Sequence, residues 1–308
     1  MKMELDQGIK ELSELIQKNN LVIFAGSGVS VDSGLPSWDN LLLNFMEMAK
    51  DLPLSSRDKK DLTELIDDAQ KQHNENKFDP IKVATVIKDK IRGCNLNEYP
   101  LASAKYQYWL SSVFMNKKPN SNHDLIVQTN YPCILTSNYD LLFEEAANNN
   151  NFQDLAERTY SYTDELKIMS SIYSSTPCVI HVHGSIVNLS IDQIIFTKDD
   201  YNKLILKKYN GFAFALRMIF TRYSTLFVGY GASDPHLEEV MEEIADYFPL
   251  HGEDKHPLPY SYLVVLRSKA GAILEKWKNR VRTNLILIDD YSQYNQLLST
   301  LKNLKPRN

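Results

Sequence analysis

The chain has 308 residues, 43% of them hydrophobic and 24% charged, the balance of a globular protein with a large buried core. A formal net charge of -5 leaves no basic footprint for nucleic acid. Three cysteines, Cys94, Cys133 and Cys178, form no C-x-x-C pair, which excludes a zinc ribbon and gives no disulfide framework.

The N-terminal stretch MKMELDQGIKELSELIQKNN carries Leu5, Ile9, Leu12 and Ile16 at helical spacing among charges. It reads as an amphipathic helix and not as a signal peptide, and no apolar run approaches the length of a membrane span. The expectation is a cytoplasmic protein. LVIFA (21–25) reads as the first buried strand. It runs into GSGVSVDSGLP, which holds three of the chain's 11 glycines. From about 38 to 130 the patterns WDNLLLNFMEMAKDL, KKDLTELIDDAQKQH and IKVATVIKDKIR are helical and no convincing strand intervenes, so this stretch reads as a helical insertion.

Five further apolar runs follow: CILT (133–136), CVIHVH (178–183), LFVGY (226–230), YLVVL (262–266) and LILI (285–288). Most lead into helical patterns, among them DLLFEEAANNN, DPHLEEVMEEIADYF, SKAGAILEKWKNRV and YSQYNQLLSTLKNL, while NNNNFQD (148–154) reads as a polar loop. Strand-then-helix repetition with continuously apolar strands predicts an α/β fold: a Rossmann-like parallel sheet with helices on both faces and no zinc module. The expected organisation is one unit over 1–308 carrying the insertion.

A strand that ends in a glycine turn and leads into a helix is where α/β proteins bind phosphate through backbone N–H groups. Gly26 and Gly28 make the tight turn in this reading, and Ser27 and Ser30 add hydroxyls. The dinucleotide fingerprint also wants a third glycine where Val31 stands, so the loop alone suggests a nucleotide and equally fits a plain strand-to-helix turn.

GSGVSVDSGLP closely resembles the first signature of the sirtuins, and three more stretches fall in the family's order: LTSNYDLLFEEA (135–146), VIHVHGS (179–185) and LFVGYGASDPHL (226–237). The resemblance spans nearly the whole chain. Sirtuin deacylases carry D-F-R after the proline, where this chain has Ser37, Trp38 and Asp39, and they carry two C-x-x-C zinc pairs that are missing here. TSNYD, HGS followed by IIFTKDDYNKL, and GYGASDPHL instead resemble the sirtuin-like domains of bacterial antiphage defence proteins, which are NAD hydrolases. That resemblance implies cleavage of the nicotinamide–ribose bond, with NAD as substrate and no metal.

It also implies roles. Asn138 becomes the first catalytic candidate, bonding the nicotinamide ribose hydroxyls or positioning water, and it also fits a helix cap. Asp140 would bind the nicotinamide carboxamide, or cap the same helix. His183 is the second catalytic candidate, as a base, a task that suits an imidazole side chain. His181 would point to the same side of its strand; with no carboxylate or cysteine beside it in sequence, it reads as a core histidine in preference to a metal ligand. Gly229, Gly231 and Asp234 would border the pyrophosphate or adenosine ribose, Asp234 fitting an N-cap as well. Trp38 would sit near the nicotinamide or serve as a core aromatic. Asp289 and Asp290 would lie near the adenine. Cys133 and Cys178 read as buried hydrophobes. FTKDDYNKL (196–204) marks the family without an evident chemical role.

Two other readings stay open at this stage, an NAD-dependent deacylase and a non-catalytic nucleotide sensor. An enzyme that hydrolyses NAD must be restrained in the cell that makes it. The expectation is a homo-oligomer of at least a dimer, activated by assembly, a partner protein or a fused domain. The contact surface is expected on the insertion or the N-terminal helix.

Overall fold

A computed structural model describes residues 2–74, 79–95, 97–187, 190, 192–205, 210–231, 234–247, 259–277 and 283–307. The strands are β1 (Lys2–Glu4), β2 (Leu21–Ala25), β3 (Cys133–Thr136), β4 (Thr159–Ser161), β5 (Cys178–His181), β6 (Ser224–Val228), β7 (Ser261–Leu266) and β8 (Thr283–Ile288). Helices α1 (Leu5–Gln17), α2 (Trp38–Lys50), α3 (Ser56–Asn74), α4 (Pro80–Arg92), α5 (Tyr99–Phe114), α6 (Ser121–Gln128) and α7 (Leu142–Asn149) come first. They are followed by α8 (Gln153–Glu157), α9 (Glu165–Ser174), α10 (Lys198–Ile205), α11 (Asn210–Arg222), α12 (Pro235–Tyr247), α13 (Ala270–Trp277) and α14 (Gln293–Leu304).

The strands form one sheet in the order β1-β8-β7-β6-β2-β3-β5-β4, and each recorded pair is parallel. Their apolar runs are continuous because both faces are covered. On one face Val22, Phe24, Leu135, Ile180, Phe227 and Leu263 join Ile168, Phe212, Leu216 and Val240 from α9, α11 and α12. On the other, Leu21, Ile23, Ile134, Val179 and Leu226 meet Leu12, Ile126, Phe143 and Leu297 from α1, α6, α7 and α14. The period-two alternation of side chains divides each strand between the two layers. The fold is therefore the α/β parallel sheet that the strand pattern predicts.

The expected insertion comprises α2 to α6. Helices α2 to α5 share their own apolar cluster (Leu42, Phe45, Ile66, Ile87, Tyr106, Trp109), closed by Tyr139, Ile194 and Phe196 from outside the stretch, while α6 packs beneath the sheet. Lys88 of α4 is fully buried and joins the two parts: its Nζ donates to the Ile194 carbonyl at 2.9 Å and to Asp200 Oδ2 at 2.7 Å, with the Phe196 ring 4.4 Å away. Asp200 also accepts the Thr197 backbone N–H, so the FTKDDYNKL pattern encodes a helix start tied to a buried ion pair.

Several expected boundaries move. The N-terminal segment begins with the three-residue edge strand β1 before its helix, and β4 is a second short edge strand; three residues are too few to show a period. CVIHVH ends as a strand at His181 because the chain turns at Gly184 (φ 84), and LFVGY ends at Val228 before Gly229 (φ 60). NNNNFQD is only partly loop, since α7 continues through Asn149 and α8 starts at Gln153. The glycine turn after β2 does not feed an α-helix directly. It passes through two 3-10 turns, Ser27–Val29 and Val31–Ser33, and α2 starts only at Trp38, capped by Ser37. Residues 278–281 of SKAGAILEKWKNRV, Phe248, and Ala232 and Ser233 of the GYGASDPHL loop lie outside the described residues.

Candidate active site

Register aligns the strand ends. Ala25 of β2 pairs with Val228 of β6 and with Thr136 of β3, and Thr136 pairs with His181 of β5. Gly26, Gly229, Asn138 and His183 therefore all emerge within two residues of one row, at the carboxyl edge. The chain winds from β2 to β3 on one side and returns through β6 on the other, so this edge contains the topological switch point, where open α/β sheets bind ligands.

The loops after β2 and β6 touch through backbone. A Cβ on Gly26 would stand 2.6 Å from the Gly229 carbonyl oxygen, and one on Gly229, whose φ is 60, would stand 2.5 Å from the Val29 nitrogen. Gly26 N–H donates to the Val228 carbonyl and Gly28 N–H to the Gly229 carbonyl, each at 2.9 Å. These glycines thus hold the two loops together, and the two amides expected to face a phosphate are bonded within the protein. Ser27 is half-buried, Gly28 and Gly231 are exposed, and Trp38 is half-buried at the start of α2 with its ring centroid 6.3 Å from Tyr139.

Beyond β3 the chain is fixed residue by residue. Asn138 N–H donates to Thr136 Oγ1 at 3.1 Å, its carbonyl accepts from His181 Nδ1 at 2.9 Å, and Tyr139 OH donates to the Ile195 carbonyl at 2.7 Å. Asn138 does not cap α7. Its Nδ2 donates to Ser30 Oγ at 3.0 Å, and its Oδ1 is buried with no hydrogen-bond partner among the described residues. Ser30 Oγ donates to Asp140 Oδ2 at 3.0 Å, and Asp140 Oδ1 accepts from Leu142 N–H at 3.1 Å, a turn just ahead of α7, whose N-cap position is Leu141. Burial pushes the Asp140 carboxyl up to about 6.

His183 is 3% exposed, and its ring meets Tyr201 edge-on at 5.3 Å. Its Nε2 lies 3.1 Å from Asp234 Oδ2, within charge contact and outside hydrogen-bond alignment. Asp234 caps α12: Oδ1 accepts the N–H groups of His236 (3.1 Å) and Leu237 (3.2 Å), which leaves Oδ2 toward His183. Burial raises the Asp234 pKa, but the adjoining His183 imidazole and the capping amide of Leu237 outweigh it, and the carboxyl stays below its ordinary range. His236 is buried beside this pair and burial draws it down to about 4, so it is neutral.

His181 is the hydrogen-bonded core histidine expected, with a partner the local sequence did not reveal. Nε2 meets Glu144 Oε1 at 2.7 Å while Nδ1 meets the Asn138 carbonyl, so both ring nitrogens face acceptors and both carry protons. Burial lowers its pKa, yet the Glu144 carboxylate and the Asn138 carbonyl more than reverse this. Cys133 and Cys178 are buried register partners whose thiols burial pushes upward, Cys178 to about 12. Asp289 pairs with Arg267 at 3.0 Å and Asp290 bonds Ser292, both exposed beyond β8, three strands from β2 or about 14 Å at ordinary strand spacing. Among the described residues no group of three or more His, Cys, Asp or Glu is arranged to hold a metal ion, and no helix is long and apolar enough to cross a membrane.

Sequence reasoning did not single out His123 and Glu144. His123 Nε2 lies 3.1 Å from Ser30 Oγ, and the ring sits at the third position of a capping box with Asn120. The signal was Asn120 three residues before a polar side chain at the head of an apolar helix, although that third position is ordinarily Glu or Gln.

A model of the SIR2-like domain matches residues 132–286, from the start of β3 into β8, which takes in Asn138, Asp140, His181, His183 and Asp234. The chain is 24% identical over 297 residues to the NAD(+) hydrolase ThsA of Bacillus cereus (strain MSX-D12), covering 96% of this chain and 54% of that protein. It is 28% identical over 249 residues to NAD(+) hydrolase ThsA of Acinetobacter baumannii (strain 532279), covering 80% and 43%. The chain thus spans about half the length of the curated relatives it matches. With half of its length matched by the domain model, and with the motif-bearing strand ends gathered at one edge of a parallel sheet, this chain belongs to the SIR2-like domain family.

Proposed function

We propose that the chain is an NAD hydrolase that cleaves the nicotinamide–ribose bond, acting as the NAD-depleting effector of an antiphage system. One observation supports this most: the buried Asn138 Oδ1, held without a hydrogen-bond partner among the described residues at the switch-point edge where His183 and its carboxylate also emerge. A buried acceptor left open in an otherwise bonded loop is costly, and a ligand hydroxyl or water satisfies it.

The nicotinamide of NAD is already a cationic leaving group, so the site needs positioning, charge stabilisation and a proton acceptor more than a strong acid. Asn138 Oδ1 accepts from a ribose hydroxyl or from the attacking water. The C–N bond breaks with its electron pair leaving on nicotinamide, a C–O bond forms to water, and the water's proton passes to His183. Asp234, oriented by the amides at the head of α12, steadies the resulting imidazolium, the arrangement of a base held by a third group. Hydrogen bonds of this kind tighten when substrate binds. Ser27 and Gly231 line the outer rim for the pyrophosphate, with Trp38 toward the nicotinamide. The names of the relatives and the family motifs support the choice of NAD.

The antiphage role rests on the resemblance of TSNYD, HGS and GYGASDPHL to the defence proteins' domains. Control by a homo-oligomer, a partner protein or a fused domain belongs to the same proposal, in a cytoplasmic setting. Leu101 and Tyr108 of α5, exposed and seven residues apart, supply an apolar stripe on the insertion where such contact fits. Nicotinamide release should then rise with protein concentration in step with assembly seen by light scattering, or on adding the partner. A monomer fully active alone would refute this control.

Incubation with NAD, with and without an acetylated peptide, separates the chemistries. Release of nicotinamide without peptide is the expected result. Release only with peptide would make the chain a deacylase, and binding of NAD without release would make it a sensor.

A further inference from the structure

Ser30 Oγ has three neighbours: Asn138 Nδ2 at 3.0 Å, Asp140 Oδ2 at 3.0 Å and His123 Nε2 at 3.1 Å. A hydroxyl has one proton and two lone pairs, so three partners use its full capacity. The Asn138 amide can only donate from Nδ2 and the Asp140 carboxylate can only accept. The role of the third partner then decides whether the set is consistent.

That role is set by the far side of the imidazole. His123 Nδ1 lies 3.2 Å from the Asn120 backbone nitrogen, and a backbone N–H only donates, so Nδ1 is the acceptor. Asn120 Oδ1 is also near, at 3.1 Å, but it already accepts the N–H groups of Asn122 and His123. Burial draws His123 down to about 4, which leaves a neutral ring with a single proton, on Nε2. His123 therefore donates to Ser30, the Ser30 proton is directed to Asp140, and the remaining Ser30 lone pair takes the Asn138 amide. With the opposite tautomer the Ser30 proton would be drawn to His123 and Asp140 would lose its donor. The direction of the whole chain of bonds keeps Asn138 with Nδ2 inward and Oδ1 outward.

We propose that His123 is a positioning residue for Asn138: acting through Ser30, it fixes the orientation of the asparagine amide so that Oδ1 faces substrate. The proposal rests on the reading of Asn138 as a catalytic residue. It also moves Ser30 from cofactor contact to the holding frame of the site, because a contact with NAD would require Ser30 to give up one of its three bonds.

The test is a double-mutant cycle on nicotinamide release. His123→Phe keeps a ring against Phe143, whose centroid is 5.0 Å away, and removes the donor. It should lower kcat about 10- to 100-fold with KM little changed, the scale of loss expected from misplacing a reacting group. Ser30→Ala should do the same, and the double variant should fall no further than Ser30→Ala alone, since His123 acts through Ser30. His123→Gln, whose Nε2 reaches a similar point, should recover most of the loss. Multiplicative losses in the double variant, or full activity of His123→Phe, would overturn the proposal. So would a rise in KM for Ser30→Ala without a fall in kcat.

Asn138→Ala run in parallel separates the two ideas: if it keeps wild-type release, the reading of Asn138 itself fails. If the wild type releases no nicotinamide, nitrogen-15 NMR of the histidines still decides the positioning. His123 should be the Nε2–H tautomer from pH 5.5 to 8, with a signal that moves in Ser30→Ala. The Nδ1–H tautomer, or a signal indifferent to Ser30, would overturn it.

Discussion

Asp140 carries the most informative titration of the site. Burial lifts its carboxyl to about 6, while an unfolded aspartate titrates at about 3.9. The folded chain therefore keeps a proton there through a pH range in which the unfolded chain has lost it. The carboxyl contributes nothing to the pH dependence below about 4, and stability falls as pH rises from about 4 to about 6. Asp140→Asn removes the charge and keeps one acceptor oxygen, so of the two donors, Ser30 Oγ–H and Leu142 N–H, one loses its partner at every pH. In urea denaturation the stability of the variant relative to the wild type should be higher at pH 7 than at pH 4 by on the order of 2 kcal/mol. Equal relative stability at both pH values would contradict the buried charge. Asp234→Asn provides the opposite case. The cap on α12 survives, but the charge that steadies the His183 imidazolium goes, so kcat should fall, and stability at pH 7 should fall too, because a carboxyl held below its ordinary range stabilises the fold when ionised.

At this scale the sequence revealed much and stopped at a definite point. Asn138, Asp140, His183 and Asp234 were legible as candidates because family motifs mark them. Their partners were not: Ser30 to His123 spans 93 positions and His181 to Glu144 spans 37, and nothing in local spacing announces a hydrogen bond over that distance. In Asp234 the cap and the contact with His183 coexist, because its two carboxylate oxygens face different ways.

Elements show how the glycines divide. Gly26 and Gly229 let the loops after β2 and β6 meet backbone to backbone, a role the phosphate-loop reading of GSG did not anticipate, because the loop it packs against lies some 200 residues away in sequence. Gly229→Ala combines a left-handed φ with a Cβ 2.5 Å from a backbone nitrogen. It should lose about 2–5 kcal/mol in urea denaturation. A Cβ on Gly271 in α13 would meet nothing within 4 Å among the described residues, and Gly271→Ala should gain about 0.5–1 kcal/mol. Equal effects at the two positions would contradict the account of the loop contact. The Lys88–Asp200 pair ties α4 of the insertion to the first turn of α10. Asp200→Ala would strand a buried ammonium, at a cost of about 3–5 kcal/mol. The six longer strands were readable from their apolar runs. The three-residue β1 and β4 were not, since so short a segment carries no period and owes its place to one neighbouring strand each.

For the whole molecule the decisive feature is the register that brings the ends of β2, β3, β5 and β6 into one row at the switch point. Parallel winding makes each strand deliver its following loop to the same edge, so four motifs separated by up to 200 residues converge without any of them being long. Helices α2 to α5 pack as a body of their own against Tyr139 and Phe196, so a shift of that body would be felt one residue from Asn138. The central claim is that the two strand-end side chains at this edge cleave NAD. Nicotinamide release by the purified wild type, Asn138→Ala and His183→Ala, each checked for an unchanged thermal midpoint, tests it directly. Release by the wild type and loss of about 100-fold or more in each folded variant is the predicted result. Wild-type release from the folded double variant would contradict it.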